Sequence, residues 1–287
     1  MNKTKKVSDK CVVTPLTKEQ LLSFLDDKSK NVIKYFLIKS LFSQPEAKLK
    51  QRTLPIQVPK EHIEQWFTQS LDVEPVGAGS YPIDIYNSSE HWGADIKMLN
   101  IKVDVNGLVK NNDSGEASLG QNFSGAGIDL DQLFRDKEYE VIKNNWVSLL
   151  KGKFESLKKD LPIKKIYYFF ILRPSEQVNG VDFYFCGAEI DVEKFDSLVV
   201  NEARTTKTSV FLTNFLPDDL GNTKIYKSKK RLELRLKPKN WVDQDLAVRI
   251  STSYMPNHFD LRSEVVDEKF LKARIDEIKK LKVEFIA

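Results

Sequence analysis

The chain has 287 residues, 41% apolar and 30% charged, with a formal net charge of +4. This is ordinary for a globular protein of one large domain or two smaller ones, and the mild positive charge permits nucleic-acid binding without requiring it. Cys11 and Cys186 form no CxxC pair and the three histidines are scattered, which excludes a zinc site, a disulfide framework and a His-rich metal centre. No apolar run approaches the roughly 18 residues of a membrane span. The first ten residues are polar and basic without an apolar stretch, so a cytoplasmic protein is expected.

Residues 1–16 read as a loose basic arm. Thr17 and Gln20 have the spacing of a capping box, and Leu21, Leu22, Leu25, Val32, Ile33, Phe36 and Leu37 predict two helices meeting near 27–29. That region stops before Pro45. Residues 47–59, with Lys48, Lys50 and Arg52, read as a linker, so 1–58 form an N-terminal arm with helices.

A helix is predicted from Pro59 through Ile63, Trp66, Phe67 and Leu71. It carries Glu61 and Glu64, either a solvated face or a contribution to a site. Glu64 is preferred because it lies deeper in the helix, beside Ile63. Gly77 and Gly79 lead into a strand over 79–86 that bears Asp84, either as a turn or as a close-approach point for a nucleic-acid backbone. A polar turn over 87–91 joins it to a second strand over 92–99 that bears Asp95 and Lys97. Residues at i and i+2 of a strand share a face, so Asp95 and Lys97 emerge together, and pairing of the two strands would bring Asp84 beside them. Two adjacent carboxylates require a proton or a cation between them, and oxygen ligands of this kind suit Mg²⁺.

Residues 100–105 alternate as a third strand closed by Asn106-Gly107. The polar stretch 111–127 reads as a surface loop or a short helix, in which Glu116 and Gln121 are further candidates to complete the site. Asp129 or Asp131 caps a long amphipathic helix through Tyr139, Ile142, Trp146, Leu150, Phe154 and Leu157. Residues 163–172 then form an apolar, aromatic strand, central in a sheet.

Pro82-x-Asp84, ten intervening residues, and Asp95-x-Lys97 resemble the motif of the PD-(D/E)xK nuclease superfamily, and within it the type II restriction endonucleases. Ile83 between Pro82 and the acid, and Asp instead of Glu at 95, depart from the commonest form. The order helix, strand, strand, strand, helix, strand over residues 59–172, about 40% of the chain, is similar to that superfamily's αβββαβ core. The resemblance implies an α/β fold with a mixed central sheet and a nuclease core over 59–175. It implies Mg²⁺ held by Asp84 and Asp95, Lys97 acting on water, and Glu64 as an accessory acid. Double-stranded DNA would be the substrate and a two-fold homodimer the cutting unit, with a cognate DNA methyltransferase encoded separately.

Residues 176–287 read as β-rich, either a separate extension or continuous with the core, with strands near 181–186 and 209–212. From 224 to 239 eight basic residues face a single acid, Glu233, and Leu232, Leu234 and Leu236 alternate with charged positions. A strand there would bury its leucines and hold a basic stripe outward, as a solvated face or as a phosphate contact. Lys229, Lys230, Arg231, Arg235 and Lys237 are the DNA-binding candidates. Trp241 and Tyr254 are candidates for base stacking or for burial. A helix over 264–282 closes the chain, against the core or against a second subunit. The sequence also admits a nucleic-acid-binding protein without catalysis, with Asp84, Asp95 and Lys97 as a salt bridge, or a nuclease of repair or of a larger defence complex.

Overall fold

The computed structural model describes residues 10–52, 54–58, 60–76, 81–118 and 127–286. The chain opens with β1 (Val13–Pro15), α1 (Lys18–Ser23) and α2 (Asp27–Phe42). The capping box forms as expected: Gln20 N donates to Thr17 Oγ1 at 3.3 Å and Thr17 N donates to Gln20 Oε1 at 2.8 Å. Asp26 starts α2 in the same way, accepting from Ser29 N at 2.7 Å. There follow α3 (Lys60–Ser70), β2 (Glu74–Pro75), β3 (Ile85–Asn87), β4 (Trp92–Val103), β5 (Val109–Ser114), β6 (Glu116–Ser118), α4 (Leu130–Arg135), α5 (Tyr139–Asp160) and β7 (Lys165–Pro174). The last part holds β8 (Asp182–Ile190), a 3₁₀ turn (Val192–Ser197), β9 (Val199–Val200), β10 (Ser209–Thr213), β11 (Gly221–Tyr226), β12 (Arg231–Leu236), α6 (Pro238–Asp243), β13 (Ala247–Thr252), α7 (Glu268–Ile278) and β14 (Val283–Ile286).

The fold is mixed α/β around a mixed central sheet in the order β14-β13-β8-β7-β4-β3-β2, with β1 added to β8 and β5 to β4. β4 and β7 run parallel from Trp92↔Lys165 to Ile101↔Pro174, with α5 on the connection between them. The neighbouring pairs β3–β4, β7–β8 and β8–β13 are antiparallel. As expected, β7 is central and buried on both faces. Its odd residues Tyr167, Phe169 and Ile171 meet Leu21, Leu37, Trp66 and Phe67 of the N-terminal helices. Its even residues Tyr168, Phe170 and Leu172 meet Trp146, Leu150 and Phe154 of α5. Each such side chain, fully buried, contributes about 1.5–3 kcal/mol.

A second, five-stranded sheet runs β6-β12-β11-β10-β9. Its inner residues Val210, Leu212, Ile225, Leu232, Leu234 and Leu236 join the α5 side of the core. β6, from the first half of the chain, pairs with β12 from the last third. Among the described residues no helix is long and apolar enough to cross a membrane.

Three expectations need correction. Asp129 caps the short α4, accepting from Gln132 N at 2.9 Å, and not the long α5, which begins at Tyr139. Within the supposed arm, residues 11–16 are fixed: β1 pairs with β8, and Cys11, Val12, Val13 and Leu16 are buried; residues 1–9 lie outside the described part. The strands over 92–99 and 100–105 are one strand, because β4 keeps its pairing with β7 without a break through residue 101. The third strand is instead β5, where a loop was expected. Asn106-Gly107 is the turn between them: Asp104 Oδ1 accepts from Asn106 N at 2.8 Å and Leu108 N at 3.0 Å, and Gly107 takes φ +78°.

Candidate active site

Asp84 lies one residue ahead of β3, with its N–H bonded to Ala94 O at 2.8 Å. This short run of pairing brings its carboxylate over β4, where Oδ2 accepts from Ile96 N at 2.6 Å. Asp95 and Lys97 share one face of β4, as their spacing requires, and Lys97 Nζ donates directly to Asp95 Oδ1. The same ammonium is 3.7 Å from Asp84 Oδ2. The structure thus brings all three residues together.

The setting is dry. Across the parallel ladder Asp95 faces Tyr168 and Lys97 faces Phe170, both buried. Asp95 is only 8% exposed. Burial pushes its carboxyl up to about 7 and Asp84 adds to the rise, against the pull of Lys97. Lys97 is held above the usual amine value: burial draws it down, but Asp95 and Asp84, then Glu64, outweigh it. The Tyr168 hydroxyl is pushed well up by burial and by Asp95.

Glu64 is half-buried on α3, and its charge is the smallest of the influences named on Lys97. Glu61 lies on the same helix and Glu116 on β6, not on a helix, and both side chains are outside the described part. Gln121, Gly77, Gly79 and Pro59 are also outside the described residues. Tyr168 was missed, since only the β4–β7 register, invisible in sequence, places it beside Asp95.

Among the described residues no three His, Cys, Asp or Glu side chains form a metal-holding group. Mg²⁺ does not require one, because it commonly takes one or two carboxylates and keeps several waters. Asp84 and Asp95 offer hard oxygen donors near enough to interact with each other, a set of the kind Mg²⁺ takes. The donor set therefore fits Mg²⁺.

The expected basic stripe is more structured than its sequence implied. Lys229 and Lys230 lie in the β11–β12 turn rather than on the strand, while Arg231 and Arg235 point outward from β12. Lys237, at the start of α6, donates to Asp218 O at 2.6 Å. Glu233 is 1% exposed although its face is the outer one, and Lys229 and Arg231 reach its Oε1 at 2.9 and 3.3 Å. Part of the basic run is thus committed to neutralising one internal acid. Trp241 and Tyr254 are buried, not stacking platforms: the indole N–H donates to Leu220 O at 2.8 Å and the phenol to Gln177 Oε1 at 2.7 Å. No protein-family model matches the chain, and neither a curated protein nor a solved structure does.

Proposed function

We propose that this protein is a Mg²⁺-dependent endonuclease of double-stranded DNA, with an αβββαβ restriction-endonuclease-like core formed by α3, β3, β4, β5, α5 and β7. The observation that carries the reading is the meeting of Asp84, Asp95 and Lys97 at the start of β4, in a site with more negative than positive charge. Asp84 and Asp95 would hold the ion. When bound, Mg²⁺ supplies charge neutralisation at a phosphate and a more acidic water. Lys97, an ammonium fixed by its acidic neighbours, donates hydrogen bonds and so orients the attacking water and offsets charge on the phosphoryl oxygens. Glu64 adds negative charge on the helix side. Site-specific cutting of both strands would follow from a two-fold homodimer, and a separately encoded methyltransferase would protect the host's sites.

A plasmid incubated with the protein and Mg²⁺ should give discrete fragments, and EDTA or Asp95→Asn should abolish them. A smear would replace site-specific cutting with general nuclease activity. The direct contact of Lys97 with Asp95 favours one other reading, a salt bridge in a DNA-binding protein without chemistry. Shifted but intact plasmid in Mg²⁺ would select it.

A further inference from the structure

The central sheet ends on β14, which pairs with β13 on one side only. Ser253 N donates to Lys282 O at 2.9 Å and Lys282 N to Ser253 Oγ at 2.8 Å, while Thr252 N turns the other way, to Val181 O at 3.1 Å. Successive residues of an antiparallel ladder direct their backbone groups to opposite sides. Lys282, Glu284 and Ile286 therefore address β13, and Val283 and Phe285 present their N–H and C=O groups to the open side. Among the described residues no strand lies there. The sheet's other outer strands are blunted. β2 is two residues long and ends in Pro75. β1 contains Pro15, and Val12 N and Val13 N donate to Asn214 O and Phe215 O. β5 lies against α6. β14 has neither a proline nor a bulge, so it remains a template for a further strand.

The side chains of β14 state which strand fits. Val283 is buried, and Leu281 and Phe285 are half-buried against the core beneath α2. Lys282 and Glu284 stand on the opposite face, exposed and in no ion pair among the described residues. Three antiparallel registers set the outward backbone groups of this strand against those of its own copy. With Val283 opposite Phe285, the two Glu284 carboxylates meet at the axis. With Phe285 opposite Phe285, Glu284 meets only Ile286. With Val283 opposite Val283, Lys282 stands opposite Glu284 twice, and Leu281 stands opposite Phe285 twice. Only this last register matches opposite charges on one face and apolar side chains on the other. We infer that β14 pairs with β14 of a second copy across a two-fold axis in the Val283-to-Val283 register, joining two central sheets into one. Such pairing consumes the open edge of each copy, so the assembly closes at two. The inference rests on no part of the nuclease reading, but gives the homodimer of that reading a contact surface.

Sedimentation velocity of the full-length protein, without DNA or Mg²⁺, tests it. A contact this short predicts a dissociation constant of about 10 µM, so the wild type should pass from monomer to dimer between about 1 and about 100 µM. Lys282→Glu and Glu284→Lys each set like charges opposite one another at both ends of the contact, and each should weaken the dimer about ten-fold or more. Mixed in equal amounts, the two variants should form a heterodimer of wild-type affinity, because one then carries two acids where the other carries two amines. Both side chains are exposed, so the melting temperatures should not change. A monomeric wild type, assemblies larger than two, single variants that dimerise like the wild type, or a mixture that stays monomeric would each overturn the pairing. The plasmid assay is independent of these outcomes. A dimer of this kind that cuts nothing keeps the interface and removes the enzyme, whereas cleavage by a monomeric wild type does the reverse.

Discussion

Asp95 couples stability to pH in a direction opposite to most paired carboxylates. Its folded-state value of about 7 lies above the ordinary 3.8. Between those values the folded chain keeps a proton that the unfolded chain has released, so this residue lowers stability as pH rises from about 4 to about 7. About three pKa units correspond to at most ~4 kcal/mol. In EDTA, the urea midpoint of the wild type should fall from pH 5 to pH 8 relative to that of Asp95→Asn; parallel midpoints would show that burial does not protonate this acid. Lys97 invites a separate test. Lys97→Ala should lose cleavage by at least ~10²-fold, while Lys97→Gln, which can orient water but carries no charge, should keep a residue of activity if positioning is the larger part. Full activity in both variants would remove Lys97 from the reaction. These three side chains were legible because strand periodicity dictates that i and i+2 share a face. Tyr168 was not, because nothing local in a chain states which residue of a distant parallel strand will lie beside Asp95.

At the scale of elements, β12 makes the sharper prediction. Lys229 and Arg231 are bound to Glu233, whereas Lys230 lies in the turn and Arg235 is exposed. Replacing Lys230 and Arg235 with Gln should flatten the plot of log K for DNA against log salt by roughly one unit per phosphate contact removed. An unchanged slope would leave the stripe a solvated face. The leucines of β12 were readable from their alternation. The burial of Glu233 was not, since an acid among basic residues looks the same in sequence whether it is exposed or covered. The merging of two expected strands into β4 has a similar cause. Polar positions such as Asn100 and Lys102 resemble a boundary, yet pairing with β7 carries the strand past Asn100 to Ile101 and pairing with β5 continues it to Val103.

For the whole molecule, the long elements α3, β4, α5 and β7 were readable because each carries its own periodicity, whereas the short β2, β6 and α4 were not, and β5 was taken for a loop. The way the N-terminal segment closes the sheet was not, because a three-residue strand has too little pattern to announce itself. That strand, β1, sits on the end of β8 next to Cys11, while Cys186 lies in the middle of β8 between β7 and β13. Cys11 and Cys186 form no disulfide and both are buried, and burial pushes the thiol of Cys11 up to about 11 and that of Cys186 higher still. The protein therefore contains two clocks for its own opening. A thiol-labelling reagent reacts with Cys11 when the first strand peels away, and with Cys186 only when the sheet itself comes apart. Under native conditions Cys11 should label first, and mild denaturant should accelerate Cys186 more steeply because its exposure uncovers more surface. Simultaneous labelling at a single rate would mean that β1 is as firmly held as the central strands, and that the molecule has no loose end to lift.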